Sequence, residues 1–288
     1  MSEARIGLIG GSGLYEMQGM RIDEERRIET PFGDPSDAYL LGELDGKSVA
    51  FLPRHGRGHR LLPSELNYRA NVYGLKTLGV EWVVSVSAVG SLKTEYEPTH
   101  ILIPDQFFDR TRHRADTFFG NGLVAHVGFA HPVCARLAEW MAQGSKAAGA
   151  KVHEGGVYVC MEGPMFSTLA ESLDYRRNGF DVVGMTNLQE AKLAREAEMS
   201  YATMALVTDY DCWHEEEADV SGSAIMEVLR QNVKTAQEAV RQTVRLIDET
   251  LDSPFKGSLR QALITDPSLV PEATLEALAP IVGPYVSG

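Results

Sequence analysis

Short β-branched runs alternate with stretches whose apolar residues recur every three or four positions, and these two periods divide the chain into strands and helices. Residues 5–10 read as an apolar strand that runs into the turn sequence GGSG. YLLGEL and SVAFLPR flank Asp45-Gly46, a two-residue hairpin signal. SELNYRANVYGLKTLG predicts a helix capped by Ser64 and closed by Gly79. WVVSVSA, HILIPD, GVYVCME, DVVGM and YATMALVTDY read as strands, with CARLAEWMAQGSKAAG, TLAESLDYRR and LQEAKLAREA as helices among them. Such alternation specifies an α/β chain with a parallel or mixed sheet. After Ser221, the apolar positions Ile225, Leu229, Val233, Ala236, Val240, Val244, Ile247 and Leu251 predict one long amphipathic helix with its stripe in the core. Beyond Asp252, five prolines and short apolar clusters predict an irregular extension with two brief helices.

Polar residues of unusual type fall where these strands end. Ser12 follows the first strand, Arg54-His55 the second strand of the hairpin, Ser87 the next, Thr186 follows DVVGM, and Asp209 with Asp211 follow MALVT. Ligands of open α/β sheets bind at the carboxyl ends of strands, so these five endings predict one site assembled from distant segments.

Each ending admits more than one chemistry. Gly10, Gly11 and Gly13 around Ser12 allow a turn whose N–H groups face an anion, or a plain strand-to-loop turn. GLIGGSG lacks the G-x-G-x-x-G spacing of a dinucleotide fold, and no G-K-[ST] follows to make a P-loop. In RHGRGH, Arg54 offers a planar fork for phosphate oxygens and His55 a further donor, while His55 and His59 could instead ligate a metal or sit in a solvated basic loop. Ser87 and Thr186 pair hydroxyls with small neighbours; no G-x-S-x-G elbow makes any of these serines a hydrolase nucleophile. Asp209 and Asp211 could bind a cation, although the stretch lacks the ligand periodicity of a calcium loop. They could equally read a purine, since adenine presents an N7 acceptor beside an N6 amino donor where a 6-oxopurine presents two acceptors.

Composition narrows the partners. The 288 residues are 44% hydrophobic and 23% charged, enough for a sizeable core, and carry a net charge of −13, which disfavours nucleic acid and anionic lipid as ligands. Any bound anion needs a locally positive pocket. Cys134, Cys160 and Cys212 are odd in number and widely spaced, which suits reduced thiols of the cytoplasm rather than a disulfide framework or zinc ribbon. The uncharged run from Trp82 to Leu92 is about half the length of a membrane span, and the N-terminus does not read as a signal peptide.

Read in order from residue 5 to residue 250, GGSG, TPFGDPSD, RHGRGH, PSELNYRAN, SAVGSL, DQFFDRT, MEGPMFST, AES, VVGMT and VTDYDCW resemble the S-methyl-5′-thioadenosine phosphorylases of the trimeric purine nucleoside phosphorylase superfamily. The resemblance implies a single-domain nucleoside phosphorylase-like fold with a mixed central sheet flanked by helices. Residues 1–252 would form that domain, and 253–288 an extension packed on it or on a neighbouring subunit. It implies a cytoplasmic homotrimer that acts on a nucleoside and phosphate, with phosphate as co-substrate and neither metal nor organic cofactor. Ser12, Arg54, His55, Ser87, Ala88 and Thr186 would hold phosphate. Met185 would lie beneath the ribose, Phe166 and Ser167 against the base, and Asp209 and Asp211 on its 6-amino edge and N7. His59, Val220 and His126, the last from a neighbouring subunit, would shape the methylthio pocket. The chain departs from the family pattern at Ser12 and Ser87, where threonine is usual, and at Met165, where arginine is usual.

The implied reaction converts methylthioadenosine and phosphate into adenine and 5-methylthioribose 1-phosphate, with Asp209 as the general acid at N7. That role requires a protonated carboxyl, favoured by burial and by the Asp211 charge. Two readings compete with it: a phosphorylase for 6-oxopurine nucleosides such as methylthioinosine, inosine or guanosine, and a non-catalytic nucleoside-binding protein.

Overall fold

The computed structural model describes residues 3–11, 14, 17, 19–214 and 221–286. Strand β1 (Ile6–Gly10) lies at the centre of a mixed sheet because its flanks are both apolar: β4 (Lys47–Pro53) and β5 (Trp82–Ser91) pair with it in parallel. The predicted hairpin joins β3 (Tyr39–Leu44) to β4, with Leu44 opposite Lys47 and both turn residues at positive φ. Strand β2 (Met20–Arg26) adds an antiparallel edge to β3. The sequence gives no sign of it, since an edge strand facing water keeps few apolar residues.

Beyond β5 the sheet divides. Strand β11 (Ser200–Asp209) runs parallel to the whole of β5, and β6 (Ile101–Ile103) and β8 (Val152–Glu154) extend from it. The last turn of β5 instead pairs antiparallel with β10 (Val182–Gly184), which continues into β9 (Val157–Met161) and β7 (Gln106–Arg110). Strand β1 ends opposite Val86, whereas β10 joins opposite Ser91 and Gly90. The interval between them leaves Ser87–Val89 without a sheet neighbour on that side. The site opens there.

Helices cover both faces because neighbouring side chains in each strand alternate in direction. Ile9 and Val83 pack with α1 (Tyr68–Thr77) and α4 (Asn187–Glu196), while Leu8 and Val84 pack with α2 (Ala135–Ala147) and α5 (Gly222–Leu246). Helix α3 (Leu169–Arg177) begins with a capping box of Thr168 and Glu171. Among the described residues no helix is long and apolar enough to cross a membrane.

Two boundaries differ from the sequence expectation. Helix α1 starts three residues late, because the Asn67 side chain accepts the Ala70 N–H at 3.2 Å while the Ser64 hydroxyl turns away to Glu162. Helix α5 stops at Leu246, short of Ile247 and Leu251, where the Lys47 ammonium collects the carbonyls of Val244, Arg245 and Ile247. After Asp252 come two 3₁₀ turns, α6 (Glu272–Ala277) and α7 (Ala279–Val286). Leu259, Val270, Leu278, Ile281 and Val282 bury themselves in the same cluster as α1 and α4.

Candidate active site

A cavity of about 580 Å³ occupies the gap in the sheet. It is lined by Gly11 and Leu14 after β1, Arg54, His55 and His59 after β4, Val86–Gly90 of β5, Met185 and Thr186 after β10, and Thr208, Asp209 and Asp211 at the end of β11. The endings singled out in the sequence thus meet in one place. Their geometry is not that of a simple parallel sheet, however: Ser87 lies inside β5, and β10 enters from the opposite direction. Ser12 and Val220 lie outside the described residues.

The Arg54 guanidinium is 1% exposed and most of its hydrogen-bonding capacity is already used. Nε donates to Glu190 Oε1 at 2.5 Å, Nη2 to Glu190 Oε2 at 3.2 Å and to Ser85 Oγ at 2.6 Å, and Nη1 to the Val86 carbonyl at 2.8 Å. Of five N–H groups this leaves one, on Nη1, beside Gly11. The bidentate grip on phosphate expected from the sequence is therefore corrected: the fork holds Glu190, and one N–H with the positive charge remains for an anion. Glu190 lies on a helix whose sequence does not distinguish it from a surface glutamate. Its carboxylate also accepts from Ser85 Oγ and Tyr201, both at 2.8 Å.

The same network continues through Asn187, whose amide donates to Ser85, Tyr201 and Thr203 and accepts the Ser87 hydroxyl at 2.7 Å. Thr186 lines the cavity at the N-cap of α4, where the helix dipole is positive, without a capping bond and with its hydroxyl 3.5 Å from Asn187 Oδ1. Ala88 lines the cavity beside them with only a methyl group over the backbone.

His55 plays a different part from the donor expected of it. Its Nδ1 lies 2.8 Å from the Leu61 carbonyl, which can only accept, so Nδ1 carries the proton. Burial, followed by the nearby Arg54 charge, pushes its pKa down to about 4. The neutral ring leaves Nε2 as an acceptor, suited to the O–H of a protonated phosphate. His59, at φ 52°, stacks on this ring at 4.3 Å.

The two carboxyl groups are set by a β-bulge. The β11–β5 register slips between Val207 and Asp209, turning Thr208 and Asp209 toward the cavity. Asp209 accepts the Thr208 hydroxyl at 2.7 Å and the Asp211 N–H at 2.8 Å. Burial raises its pKa to about 6 against those two hydrogen bonds, and the Asp211 charge adds to the rise. With that value only about a tenth of the empty site carries the proton at pH 7, less than a general acid resting fully protonated. Asp211 is 6% exposed, and burial raises its pKa against the Ser172 and Ser167 hydroxyls, which favour its charged form. Gly90 makes room for both: a Cβ there would lie 2.9 Å from Asp209 Oδ1 and 3.3 Å from Asp211 Cβ.

Phe166 and Met185 line the cavity, whereas Ser167 does not: its hydroxyl lies 3.7 Å from the Met161 sulfur and its carbonyl accepts from Cys212. His126 is exposed on a segment tied to Ala262 and lines no part of this cavity. The α5 stripe also divides its duties. Ile225, Met226 and Leu229 form an apolar cavity wall, although their spacing in sequence is that of ordinary core. No group of three or more His, Cys, Asp or Glu among the described residues is arranged to hold a metal ion.

The family model for the Phosphorylase superfamily matches residues 5–245. The chain is 57% identical over 285 residues to the S-methyl-5′-thioadenosine phosphorylase of Geobacter sulfurreducens, covering 99% of this chain and 100% of that protein. It is 56% identical to the enzyme of the same name from Chloroflexus aurantiacus, over the full length of both. Among solved structures it is similar to a methylthioadenosine phosphorylase sourced from an antarctic soil metagenomic library, with TM-score 0.92, 49% identity, and coverage of 98% of this chain and 99% of that one. It is also similar to the methylthioadenosine phosphorylase of Schistosoma mansoni in complex with adenine, with TM-score 0.86, 35% identity, and coverage of 90% and 99%. The chain belongs to the S-methyl-5′-thioadenosine phosphorylases of the phosphorylase superfamily.

Proposed function

We propose that this protein cleaves the N-glycosidic bond of S-methyl-5′-thioadenosine with inorganic phosphate, releasing adenine and 5-methylthioribose 1-phosphate. One observation carries the reading: a single cavity combines a buried cation beside a helix N-terminus, an apolar wall, and two carboxyl groups of raised pKa. The first suits phosphate, the second a methylthio group, and the third the N7 and N6 edge of adenine. A 6-oxopurine would set an O6 acceptor against a carboxylate, a loss of partners that buried polar sites penalise heavily.

In the step itself a phosphate oxygen bonds to C1′ of the ribose, and the C1′–N9 electron pair leaves with adenine. Charge develops on both fragments, so groups preorganised toward each lower the barrier. Asp209 delivers or shares a proton at N7; its raised pKa places that proton within reach, and a developing negative charge on the base draws it further. The Arg54 charge, the Thr186 hydroxyl and the α4 N-terminus orient phosphate on the other reactant. His55 Nε2 accepts a hydrogen bond from the phosphate O–H, which turns the unprotonated oxygens toward C1′. Ser87, held on Asn187, turns its lone pairs rather than its proton toward the cavity.

Phosphate serves as co-substrate and no redox change occurs, so the reaction asks for no metal or organic cofactor. A cytoplasmic homotrimer, with His126 of each chain reaching a neighbour's methylthio pocket, accords with the exposure of His126 away from its own cavity. The test is to incubate methylthioadenosine with and without phosphate and follow the products by phosphorus NMR. We expect 5-methylthioribose 1-phosphate to form in step with adenine; free methylthioribose would mean hydrolysis, and no release would leave a binding protein.

A further inference from the structure

The segment after β7 has little regular structure, yet it buries one arginine at the back of the cavity wall. The Arg114 side chain is 1% exposed. Its Nη1 reaches the Met185 carbonyl, Gln189 Oε1 at 2.9 Å and the Tyr68 hydroxyl at 3.1 Å. Its Nη2 donates to the Glu162 carbonyl at 2.5 Å and lies 3.4 Å from that of Met161, while Nε faces Ser64 Oγ and Glu162 Oε1, both at 3.4 Å. These acceptors belong to the start of α1, the end of β9, the β10–α4 turn and the first turn of α4. Two of them lead directly into the site: Met185 lines it, and Glu162 begins the loop that carries Pro164 and Phe166 to it.

We propose that Arg114 is a positioning residue for the nucleoside half of the site, fixing the distance between Met185 and the 162–166 loop. The proposal rests on the phosphorolysis reading above. A planar guanidinium can satisfy acceptors in several directions at once, which a compact ammonium cannot, so the role depends on its shape as well as on its charge. The bond from Arg114 to the Met185 carbonyl fixes the orientation of the Met185 backbone that would meet the sugar. The phosphate groups are held by a separate network, centred on Glu190 and Asn187, to which Arg114 makes no hydrogen bond. Its contact with the Met185 carbonyl adjoins Thr186, so loss of Arg114 should act on the nucleoside more strongly than on phosphate.

The experiment measures KM for methylthioadenosine and for phosphate separately, with kcat and Tm, in Arg114→Lys, Arg114→Ala and Gln189→Met. Gln189→Met removes one acceptor of the guanidinium while nearly conserving volume. The expected result is a rise in nucleoside KM of about tenfold in both Arg114 variants, the scale of one charge-assisted hydrogen bond, with phosphate KM within about twofold of the parent. Gln189→Met should shift the same parameter by less, and added guanidinium should restore Arg114→Ala while leaving Arg114→Lys unchanged. Equal rises in both KM values, or a fall in Tm with both KM values unchanged, would overturn the proposal. If neither Arg114 variant folds, an unchanged nucleoside KM in Gln189→Met overturns it. Absence of phosphorolysis in the parent would instead defeat the reading on which the proposal rests.

Discussion

Asp209 combines two opposed influences: burial that favours its neutral form, and two hydrogen bonds that favour its charge. Because its pKa rises to about 6, the acid form predominates below that pH and disappears above it. We expect kcat/KM for the nucleoside to fall as pH rises through about 6, and Asp209→Asn to lose about 10²–10⁴-fold and flatten that limb. A parent-like pH profile in the asparagine variant would remove Asp209 as the acid. Glu190 works through structure rather than contact with substrate. Glu190→Ala leaves the Arg54 cation buried and unpaired, so it should destabilise the fold by about 3–5 kcal/mol in urea unfolding. An unchanged midpoint would show that the pair contributes nothing. Asp209 could be picked out in the sequence by its place after an apolar strand, whereas Glu190 could not. Its burial depends on β5 and β11 lying against α4, a tertiary fact that a helical pattern of LQEAKLARE does not encode.

At the level of elements, the site exists because β5 outlasts β1 and acquires a new partner only near its end. Gly90 is the point at which the bulge of β11 presses its carboxyl groups against β5. Gly90→Ala would force Asp209 and Asp211 apart, so nucleoside turnover should fall at least tenfold while near-ultraviolet circular dichroism stays native; unchanged turnover would show that the bulge can adjust. Strands buried on both faces, such as WVVSVSA and YATMALVTD, were legible from their apolar runs, and the Asp45-Gly46 hairpin from its turn chemistry. Strand β2 was not, since MRIDEER faces water on a sheet edge, and β10's reversed direction leaves no mark on the three residues VVG. The first turns of α5 read as core because a cavity wall and a core surface call for the same side chains.

Across the whole molecule, the residues after Asp252 complete the layer over α1 and α4 instead of trailing from it. The Tyr285 hydroxyl and the Leu259 N–H both bind the Glu198 carboxylate, at 2.6 and 2.8 Å, and Leu259, Val270, Leu278, Ile281 and Val282, with the smaller Ala262, join the common core. Burying a side chain of that size contributes about 1.5–3 kcal/mol, so a chain ending at Asp252 should lose most of its net stability. Its thermal melt should drop by at least 10 °C relative to the full chain, or the protein should not fold; an equal Tm would make the region dispensable. Net charge points the same way as the site architecture, for a chain of −13 can attract phosphate only through a local cation such as Arg54 and the end of α4.

The central claim is that buried carboxyl groups select a 6-amino purine for phosphorolysis. It is tested most directly by comparing kcat/KM for methylthioadenosine and methylthioinosine at saturating phosphate. The account predicts a preference for methylthioadenosine of at least 10²-fold, the scale on which unpaired buried polar groups discriminate. Equal rates, or a preference for methylthioinosine, would contradict the roles given to Asp209 and Asp211.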